Sequence, residues 1–219
     1  MAAVIRVLIV DDDALVRAGL SMMLAGTDDV RVVAEASDGS EVASAVDAFA
    51  PDVVLMDIRM PGMDGLAATE AVRAREKAPQ VIVLTTFDAD DHVLRALRAG
   101  AAGFLLKDTP PPEIMRAIRL VAAGDAMLSP AVTRRLIEHV ADDGLGARRA
   151  HARELLDRLT DREREVAIAI GQGKSNADIA AELYMSVATV KAHVSRLLAK
   201  LEAGNRVQIA LLAHDAGVA

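Results

Sequence analysis

The sequence predicts two domains of different class, an α/β domain with a doubly wound parallel sheet followed by an all-α domain. In the first 125 residues, short β-branched runs alternate with stretches of helical periodicity. Several of these runs are apolar throughout, which is typical of parallel strands that are covered on both faces. After Leu159, apolar residues recur only at helical spacing.

Five strand–helix repeats make up the N-terminal part of the chain. Repeats of this length are typical of a five-stranded, doubly wound sheet of the flavodoxin type. Ligands of such sheets bind beyond the carboxyl ends of the strands, so the residues that follow each strand are the candidates for function. The predicted strands are residues 5–10, 30–36, 53–56, 81–85 and 103–106, and the predicted helices are residues 15–24, 39–49, 66–75, 90–99 and 112–123.

Capping signals organise the C-terminal part of the chain. Ser129 and Pro130 open a predicted helix over residues 129–142. Residues 142–153 then lose apolar periodicity, and we interpret them as a linker that is partly helical toward its end. Four further helices are predicted, and the residues that open them are Thr160 (in a capping box with Glu163), Ser175, Ser186 and Asn205 or Arg206. We therefore expect an α/β domain at residues 1–125, a helix and linker at 126–154, and a helical domain at 155–219.

The composition excludes several classes of protein. Of the 219 residues, 53% are hydrophobic, yet no apolar run approaches the ~18 residues of a membrane span. The first residues lead straight into a strand-like run and show no signal-peptide pattern. Cysteine is absent, which excludes disulfides, thiolate metal sites and cysteine nucleophiles. We expect a soluble, cytoplasmic protein without a membrane partner.

The charge of the chain is unevenly distributed. The net charge of −7 argues against nucleic-acid binding for the chain as a whole. Residues 148–219, however, carry 11 of the 25 Lys and Arg residues and only 9 of the 32 Asp and Glu residues. The segment from Ser186 to Arg206 contains one acidic residue, Glu202, and four basic residues, Lys191, Arg196, Lys200 and Arg206. This asymmetry indicates that the C-terminal domain can bind a polyanion. Aromatic residues make up only 2% of the chain, which disfavours stacking on single-stranded nucleic acid.

Acidic residues follow two of the predicted strands, and a threonine and a lysine follow two others. Asp11, Asp12 and Asp13 follow the first strand, and Asp57 the third. Carboxylates about 4 Å apart repel by about 4 kcal/mol at an effective dielectric of about 20, so such a cluster needs a cation. Mg²⁺ suits it, and a cation beside a nucleophilic aspartate describes a site that accepts a phosphoryl group. The Thr85 hydroxyl and the Lys107 ammonium would then bind phosphoryl oxygens.

A structural interpretation of the same aspartates competes with this one. Aspartate at a strand end often caps the next helix, and we expect Asp13 to do so for the helix at residues 15–24. The functional interpretation is favoured because polar residues follow four different strands of one sheet.

The segment at residues 186–201 has the pattern of a DNA-recognition helix. Its apolar stripe is opposed by small residues, Ala188, Ala192, Ser195 and Ala199, with Lys191 on one edge of that face and Thr189, Arg196 and Lys200 on the other. Small residues let a helix approach a groove closely while the flanking cations meet phosphates. A solvated helix of a bundle explains the stripe equally well, but it does not explain the local basic excess.

Four motifs of the first domain resemble the receiver domain of bacterial two-component response regulators over residues 4–125. They are VLIVDDD at 7–13, VVLMDIRMPGMDG at 53–65, Leu84-Thr85 and GAAGFLLKD at 100–108. The resemblance implies Asp57 as the phosphorylation site, and Asp11, Asp12, Asp57 and the backbone carbonyl of Arg59 as Mg²⁺ ligands. It also implies Thr85 as the switch hydroxyl, Lys107 as the phosphate partner and Phe104 as the aromatic switch residue.

Three positions depart from the receiver pattern. Asp108 follows Lys107 where receivers commonly have proline, which excludes a cis-proline there. Thr86 is bulkier than the small residue often found beside the switch threonine. Phe104 lacks the hydroxyl of the more common tyrosine, so a switch role is limited to burial of the ring, and an ordinary core aromatic is the alternative interpretation.

Residues 155–216 resemble LuxR-type helix-turn-helix domains, and the two domains together have the layout of NarL/FixJ-type response regulators. The resemblance rests on LTDREREV at 159–166, GKSNADIAAEL at 173–183 and SVATVKAHVSRLLAKL at 186–201. It implies base contacts from Lys191, Ala192 and Ser195, and phosphate contacts from Thr189, His193 and Arg196. His193 is equally well interpreted as a packing residue, and the last helix as half core and half dimer contact.

The sequence therefore predicts a phosphorylation-switched transcription factor and no enzymatic activity. Its expected partners are a sensor histidine kinase, a double-stranded DNA operator and, after phosphorylation, a second copy of the chain. Two alternatives remain at this point. One is a Mg²⁺-dependent phosphohydrolase that uses Asp57, although Arg59 stands where such enzymes usually have a second acid. The other is a DNA-binding regulator controlled by a small ligand.

Overall fold

The structure, a computed structural model, describes residues 4–75, 77–85, 95–128 and 145–219. The chain divides into two units, Met1–Thr133 and Arg134–Ala219, and each unit is described by itself. In the described part of the chain, no helix is long and apolar enough to cross a bilayer.

A parallel sheet forms the centre of the first unit. Its strand order is β2-β1-β3-β4-β5-β6, and every neighbouring pair is parallel. The order reverses between β1 and β3, which makes the carboxyl ends of these two strands neighbours at the switch point of the sheet. The strands are β1 (Ile5–Val10), β2 (Val30–Ala36), β3 (Val53–Asp57), β4 (Gln80–Thr85), β5 (Gly103–Leu106) and β6 (Met127–Leu128).

The five predicted strands are confirmed, and a short sixth strand is added to them. Strand β6 has two residues and pairs with β5 through Met127 and Leu128. Two residues carry too little pattern to be recognised as a strand in the sequence.

Helices follow the strands, and aspartate side chains cap three of them. Asp13, Asp38 and Asp64 accept hydrogen bonds from backbone N–H groups at the starts of α1, α2 and α3. Residues 95–98 are helical, whereas residues 90–94 of the helix predicted at 90–99 lie outside the described residues, as does the helix predicted at 129–142. The helices are α1 (Ala14–Leu24), α2 (Gly39–Phe49), α3 (Gly65–Arg73) and α4 (Pro111–Ala122).

The core of the first unit lies around the central strands. Residues Val7–Val10 of β1 and Val53–Met56 of β3 are fully buried, so both faces of these strands are covered. Each such aliphatic side chain contributes roughly 1.5–3 kcal/mol by leaving water. The side chains that follow these two strands therefore project from the most firmly packed part of the domain.

The described part of the second unit contains five helices, the four predicted after Leu159 and one more that precedes them. The additional helix runs through most of the predicted linker, and its residues Ala152 and Leu156 are buried in the core of the unit. Its apolar stripe is a single i, i+4 pair in an Arg- and Ala-rich segment, which is why the sequence pattern did not reveal it. The helices are α5 (Leu145–Asp157), α6 (Asp161–Gly171), α7 (Asn176–Glu182), α8 (Val187–Lys200) and α9 (Arg206–Asp215).

A buried glutamate joins the start of α6 to the end of α8. Glu163 closes the predicted capping box with Thr160, and Lys200 Nζ lies 2.7 Å from its Oε2 atom. The side chain of Glu163 is only 5% exposed. The bonds from Lys200 and Thr160 lower the pKa of Glu163 to about 2. Ionised Glu163 therefore stabilises the folded unit above pH 4.5, the ordinary range of a glutamate, and this contribution is lost as the pH falls toward 2.

Replacing Glu163 with glutamine should make the unfolding free energy less dependent on pH. At pH 7 we expect Glu163→Gln to be less stable by about 2 kcal/mol, after allowing for solvent around the half-exposed Lys200. At pH 3 the difference should be about half as large. Urea unfolding of the full chain at both pH values measures it. Glu165→Gln, which loses only the exposed pair with Arg162, is the control. A difference between wild type and Glu163→Gln that is the same at both pH values would contradict the assignment.

Candidate functional site

Three carboxylates meet at the switch point of the sheet, as the sequence predicts. Asp11 follows β1 directly, Asp57 is the last residue of β3, and Asp12 stands at the rim. One carboxylate oxygen from each lies within 4.8 Å of the other two. Asp11 and Asp57 are buried and Asp12 is exposed, so the cluster opens to solvent on one side.

Lys107 directly follows β5, and its side chain reaches the same carboxylate cluster. Its backbone N–H donates to the Thr85 carbonyl at 2.7 Å, which places the residue beside the end of β4. Its Nζ atom lies 2.7 Å from Asp11 Oδ2 and 3.2 Å from Asp57 Oδ2. The ammonium group thus bridges the two buried carboxylates.

Backbone groups fix the orientation of both buried aspartates. The Asp13 N–H donates to Asp11 Oδ1 at 3.0 Å, and the Ile58 N–H donates to Asp57 Oδ1 at 2.9 Å. In each aspartate the second oxygen, Oδ2, is therefore the one that faces Lys107.

The electrostatics of the cluster favour a divalent cation. Burial raises the pKa of Asp57, and the charge of Asp11 adds to this, while Lys107 opposes it. Burial alone would lower the pKa of Lys107, but the bond to Asp11 and the charges of Asp57 and Asp11 outweigh it, and the pKa is raised. One ammonium cannot neutralise three carboxylates. The donor atoms are all oxygens, which suits a hard cation such as Mg²⁺.

The remaining residues that the receiver resemblance implies lie on β4, on β5 and in the loop after β3. Thr85 ends β4 and is buried, and Phe104 on β5 is only 1% exposed. Because Thr85 is in register with Leu106, two residues after Phe104, Thr85 and Phe104 lie on the same face of the sheet. Arg59 lies in the loop between β3 and α3, and its side chain is exposed.

Helix α8 of the second unit presents the face that the sequence predicts for nucleic acid. Val190, Val194 and Leu197 are buried against the other helices. His193 is half-buried. The exposed residues of the opposite face are Ala188, Thr189, Lys191, Ala192, Ser195, Arg196, Ala199 and Lys200.

Two cations on this face are free, while most others in the unit are paired. Lys191 and Arg196 form no ion pair with any carboxylate in the described part of the chain. Five other basic residues in the described part of the unit do form such pairs, namely Arg158 with Glu154, Arg162 with Glu165, Arg164 with Asp157, Lys174 with Glu182 and, at the end of α8 itself, Lys200 with Glu163. Lys191 and Arg196 therefore leave positive charge on α8 available to a partner.

The polar side chains of α8 are partly engaged within the helix. The Ser195 hydroxyl donates to the Lys191 carbonyl at 3.1 Å, and the hydroxyls of Thr189 and Ser186 lie 2.8 Å apart. Nδ1 of His193 is buried and has no hydrogen-bond partner among the described residues. A phosphate contact of His193 would thus have to use Nε2.

Arg206 has a tertiary contact, and Tyr184 an almost complete exposure, that the sequence did not predict. Arg206, counted in the sequence as part of the basic excess, is only 8% exposed. It donates to Asn176 Oδ1 at 2.7 Å and to the Lys174 carbonyl, and so fastens α9 to the start of α7. An arginine at a helix N-terminus opposes the helix dipole, and this was the available signal that it serves a tertiary contact. Tyr184, in the turn before α8, is 95% exposed and has a positive φ of 54°.

An acidic pocket with a bridging lysine at the carboxyl edge of a doubly wound sheet, in a chain that also has a helix-turn-helix unit, is the arrangement of a response regulator. Comparison with known families agrees. Residues 7–119 match the response regulator receiver domain, and residues 157–213 match the luxR family of bacterial regulatory proteins. The chain belongs to the response regulators with a LuxR-type DNA-binding domain. It is a two-component transcription regulator and not an enzyme.

Similar proteins align over nearly the whole chain. The transcriptional regulatory protein LiaR of Bacillus subtilis (strain 168) is 39% identical over 96% of this chain and 97% of LiaR. The nitrate/nitrite response regulator NarL of Escherichia coli (strain K12) is 34% identical over 95% of this chain and 94% of NarL. Among solved structures, the response regulator ChrA of a heme-sensing two-component system is 37% identical with a TM-score of 0.54, covering 99% of this chain and all of ChrA. These matches favour neither the phosphohydrolase nor the ligand-controlled regulator.

Proposed function

We propose that a sensor histidine kinase transfers a phosphoryl group to Asp57, and that this modification controls binding to a double-stranded DNA operator. The bridge from Lys107 to both Asp11 and Asp57 carries the proposal, because it supplies a cation next to a nucleophile and an acidic pair. The Lys107 ammonium would bind an oxygen of an incoming phosphoryl group.

The residues that would hold Mg²⁺ are Asp11, Asp12, Asp57 and the backbone carbonyl of Arg59. The closeness of the three carboxylates and the absence of nitrogen or sulfur from the donor set support this assignment. When bound, the ion neutralises charge on the phosphoryl oxygens.

The transfer itself needs one nucleophile and one leaving group. A carboxylate oxygen of Asp57 attacks the phosphorus of a phosphohistidine, and the P–N bond breaks with its electron pair passing to the imidazole nitrogen. Lys107 offsets the negative charge of the phosphoryl oxygens throughout. The Thr85 hydroxyl, at the end of the neighbouring strand, donates a hydrogen bond to one of them.

The phosphorylated state is selected by new contacts of these same residues. Thr85 moves toward the phosphoryl group, and the ring of Phe104 on the same sheet face occupies the space beside it. Shifting a two-state equilibrium from 1:99 to 99:1 takes about 5.5 kcal/mol, of which two or three charge-assisted bonds supply a part. Formation of a homodimer on DNA supplies more, and the half-buried Leu211 and Leu212 of α9 are its proposed contact residues.

On DNA, α8 is the recognition helix in the major groove. Lys191, Ala192 and Ser195 lie on its exposed face and are proposed to contact bases. Thr189, His193 and Arg196 are proposed to contact phosphates. The unpaired state of Lys191 and Arg196 supports this, because no internal ion pair has to break before DNA binds.

Treatment with acetyl phosphate and MgCl₂ tests the proposed function as a whole. We expect an acid-labile mass increase of one phosphoryl group, a shift from monomer to dimer in light scattering, and tighter binding to DNA selected from a random library. Omission of MgCl₂ should prevent all three changes. Stable labelling without any change in DNA affinity would contradict the proposed switch.

A further inference from the structure

The loop that follows the phosphoacceptor strand, residues 58–64, is pressed against the start of α2. A Cβ atom on Gly39 would lie 2.5 Å from the Met63 carbonyl oxygen. Gly62, whose φ is +77°, would place a Cβ atom 2.5 Å from Asp38 Oδ2. The two segments therefore approach more closely than residues with side chains would allow.

The carboxylate of Asp38 lies at the centre of this contact. It caps α2, with Oδ1 accepting a hydrogen bond from the Ser40 N–H at 2.7 Å. Its Oδ2 atom lies against Gly62, and the Ser40 hydroxyl and the Met63 backbone N–H also act on the carboxylate, which lowers the pKa of Asp38. One side chain thus starts a helix and holds the middle of a loop from another part of the chain.

Both ends of the same loop are anchored separately. The Gly65 N–H donates to the Ile58 carbonyl at 2.9 Å, and Asp64 caps α3 by accepting from the Ala67 N–H at 2.7 Å. Arg59 lies between the first anchor and the contact with Asp38. The backbone position of Arg59 therefore depends on how firmly the middle of the loop is held.

We propose that Asp38 is a positioning residue for Mg²⁺. By holding Gly62 and Met63, it keeps the Arg59 carbonyl in place for the ion, so that binding does not have to order the loop. The inference rests on the proposed function, which assigns that carbonyl as a ligand. Partners of metal ligands that do not themselves touch the metal typically change its affinity 10–100-fold when removed.

A single variant separates this role from helix capping. Serine caps helices about as well as aspartate, but its side chain is too short to reach Met63. In an NMR titration of the ¹⁵N-labelled full chain with MgCl₂, we expect Asp38→Ser to raise the Kd about tenfold. Without Mg²⁺, exchange of the Met63 amide hydrogen should be faster than in wild type. The rate of phosphorylation by acetyl phosphate should return to the wild-type value at saturating MgCl₂.

Two controls address the neighbouring contacts and the lost charge. Ser40→Ala removes the hydroxyl bond to Asp38 but leaves the Met63 contact, and Glu41→Gln removes one negative charge from the same helix. Both should bind MgCl₂ with the wild-type Kd. Should Asp38→Ser fail to fold, Asp38→Asn keeps the size of the side chain but only one acceptor oxygen, and a raised Kd is again expected.

Three results would overturn the inference. They are a wild-type Kd and wild-type Met63 protection in the Asp38 variants, an equal rise in Kd for Glu41→Gln, and a slower phosphorylation rate that saturating MgCl₂ does not restore. Failure of the proposed function is distinguishable from all three, because wild type itself would then neither bind MgCl₂ at the aspartate cluster nor become phosphorylated on Asp57.

Discussion

Asp57→Asn abolishes acid-labile phosphorylation while the fold remains intact: this is the largest effect we expect. The amide of asparagine is not a nucleophile, yet its oxygen can still accept the hydrogen bond from the Ile58 N–H that Asp57 Oδ1 accepts in wild type. Because burial raises the pKa of Asp57, the ionised side chain destabilises the unliganded fold at neutral pH. The variant should therefore be at least as stable as wild type in urea unfolding without Mg²⁺.

Intact-mass measurement after treatment with acetyl phosphate and MgCl₂ checks this expectation. Asp12→Asn is the matched control, because it removes an exposed carboxylate of the same cluster and leaves the nucleophile. We expect it to become labelled, at higher MgCl₂ concentration than wild type requires. Persistent labelling of Asp57→Asn at wild-type level would show that a different carboxylate is the acceptor.

The second large effect concerns DNA affinity. Lys191→Ala should weaken binding to a selected operator by about 1–3 kcal/mol, up to roughly 150-fold, because the exposed lysine on α8 is proposed to contact a base edge. It should also relax sequence preference at one position of the operator. Arg196→Ala, proposed as a phosphate contact, should instead weaken binding to all sequences and reduce the slope of log K against log salt by about 1.

Fluorescence anisotropy with the operator and single-base variants, at several salt concentrations, distinguishes the two residues. Arg158→Ala is the control for loss of a positive charge. Arg158 lies at the end of α5, away from the exposed face of α8 in sequence, and pairs with Glu154. If Lys191→Ala binds the operator with wild-type affinity, Lys191 does not belong to the interface.

The sequence predicts the strands, the caps and the aspartate cluster because each depends on local pattern or on a general property of parallel sheets. Fully apolar runs such as Val7–Val10 identify central strands. The rule that the carboxyl ends of neighbouring strands meet is sufficient to bring Asp11 and Asp57 together, although they are far apart in the chain.

The features that the sequence did not predict depend on partners distant in the chain. Lys200 and Arg206 increase the apparent positive charge of the recognition segment, but the first pairs with Glu163 and the second with Asn176. Neither partner can be identified from spacing, because each pairing depends on how the helices pack. The sequence indicates mainly a linker where α5 lies, because its apolar periodicity is weak. Ala152 and Leu156 are the residues of α5 that are buried in the core.

The placement of Asp57, the proposed phosphoacceptor, on β3 has a consequence for how a signal can leave it. Strands β1 and β3 are enclosed on both faces, so their amides should open to hydrogen exchange only when the whole domain unfolds. A covalent change at Asp57 should therefore leave the backbone of β1 and β3 unchanged. We expect the rearrangement instead in the side chains of Thr85 on β4 and Phe104 on β5, with β1 and β3 as the fixed reference against which they move.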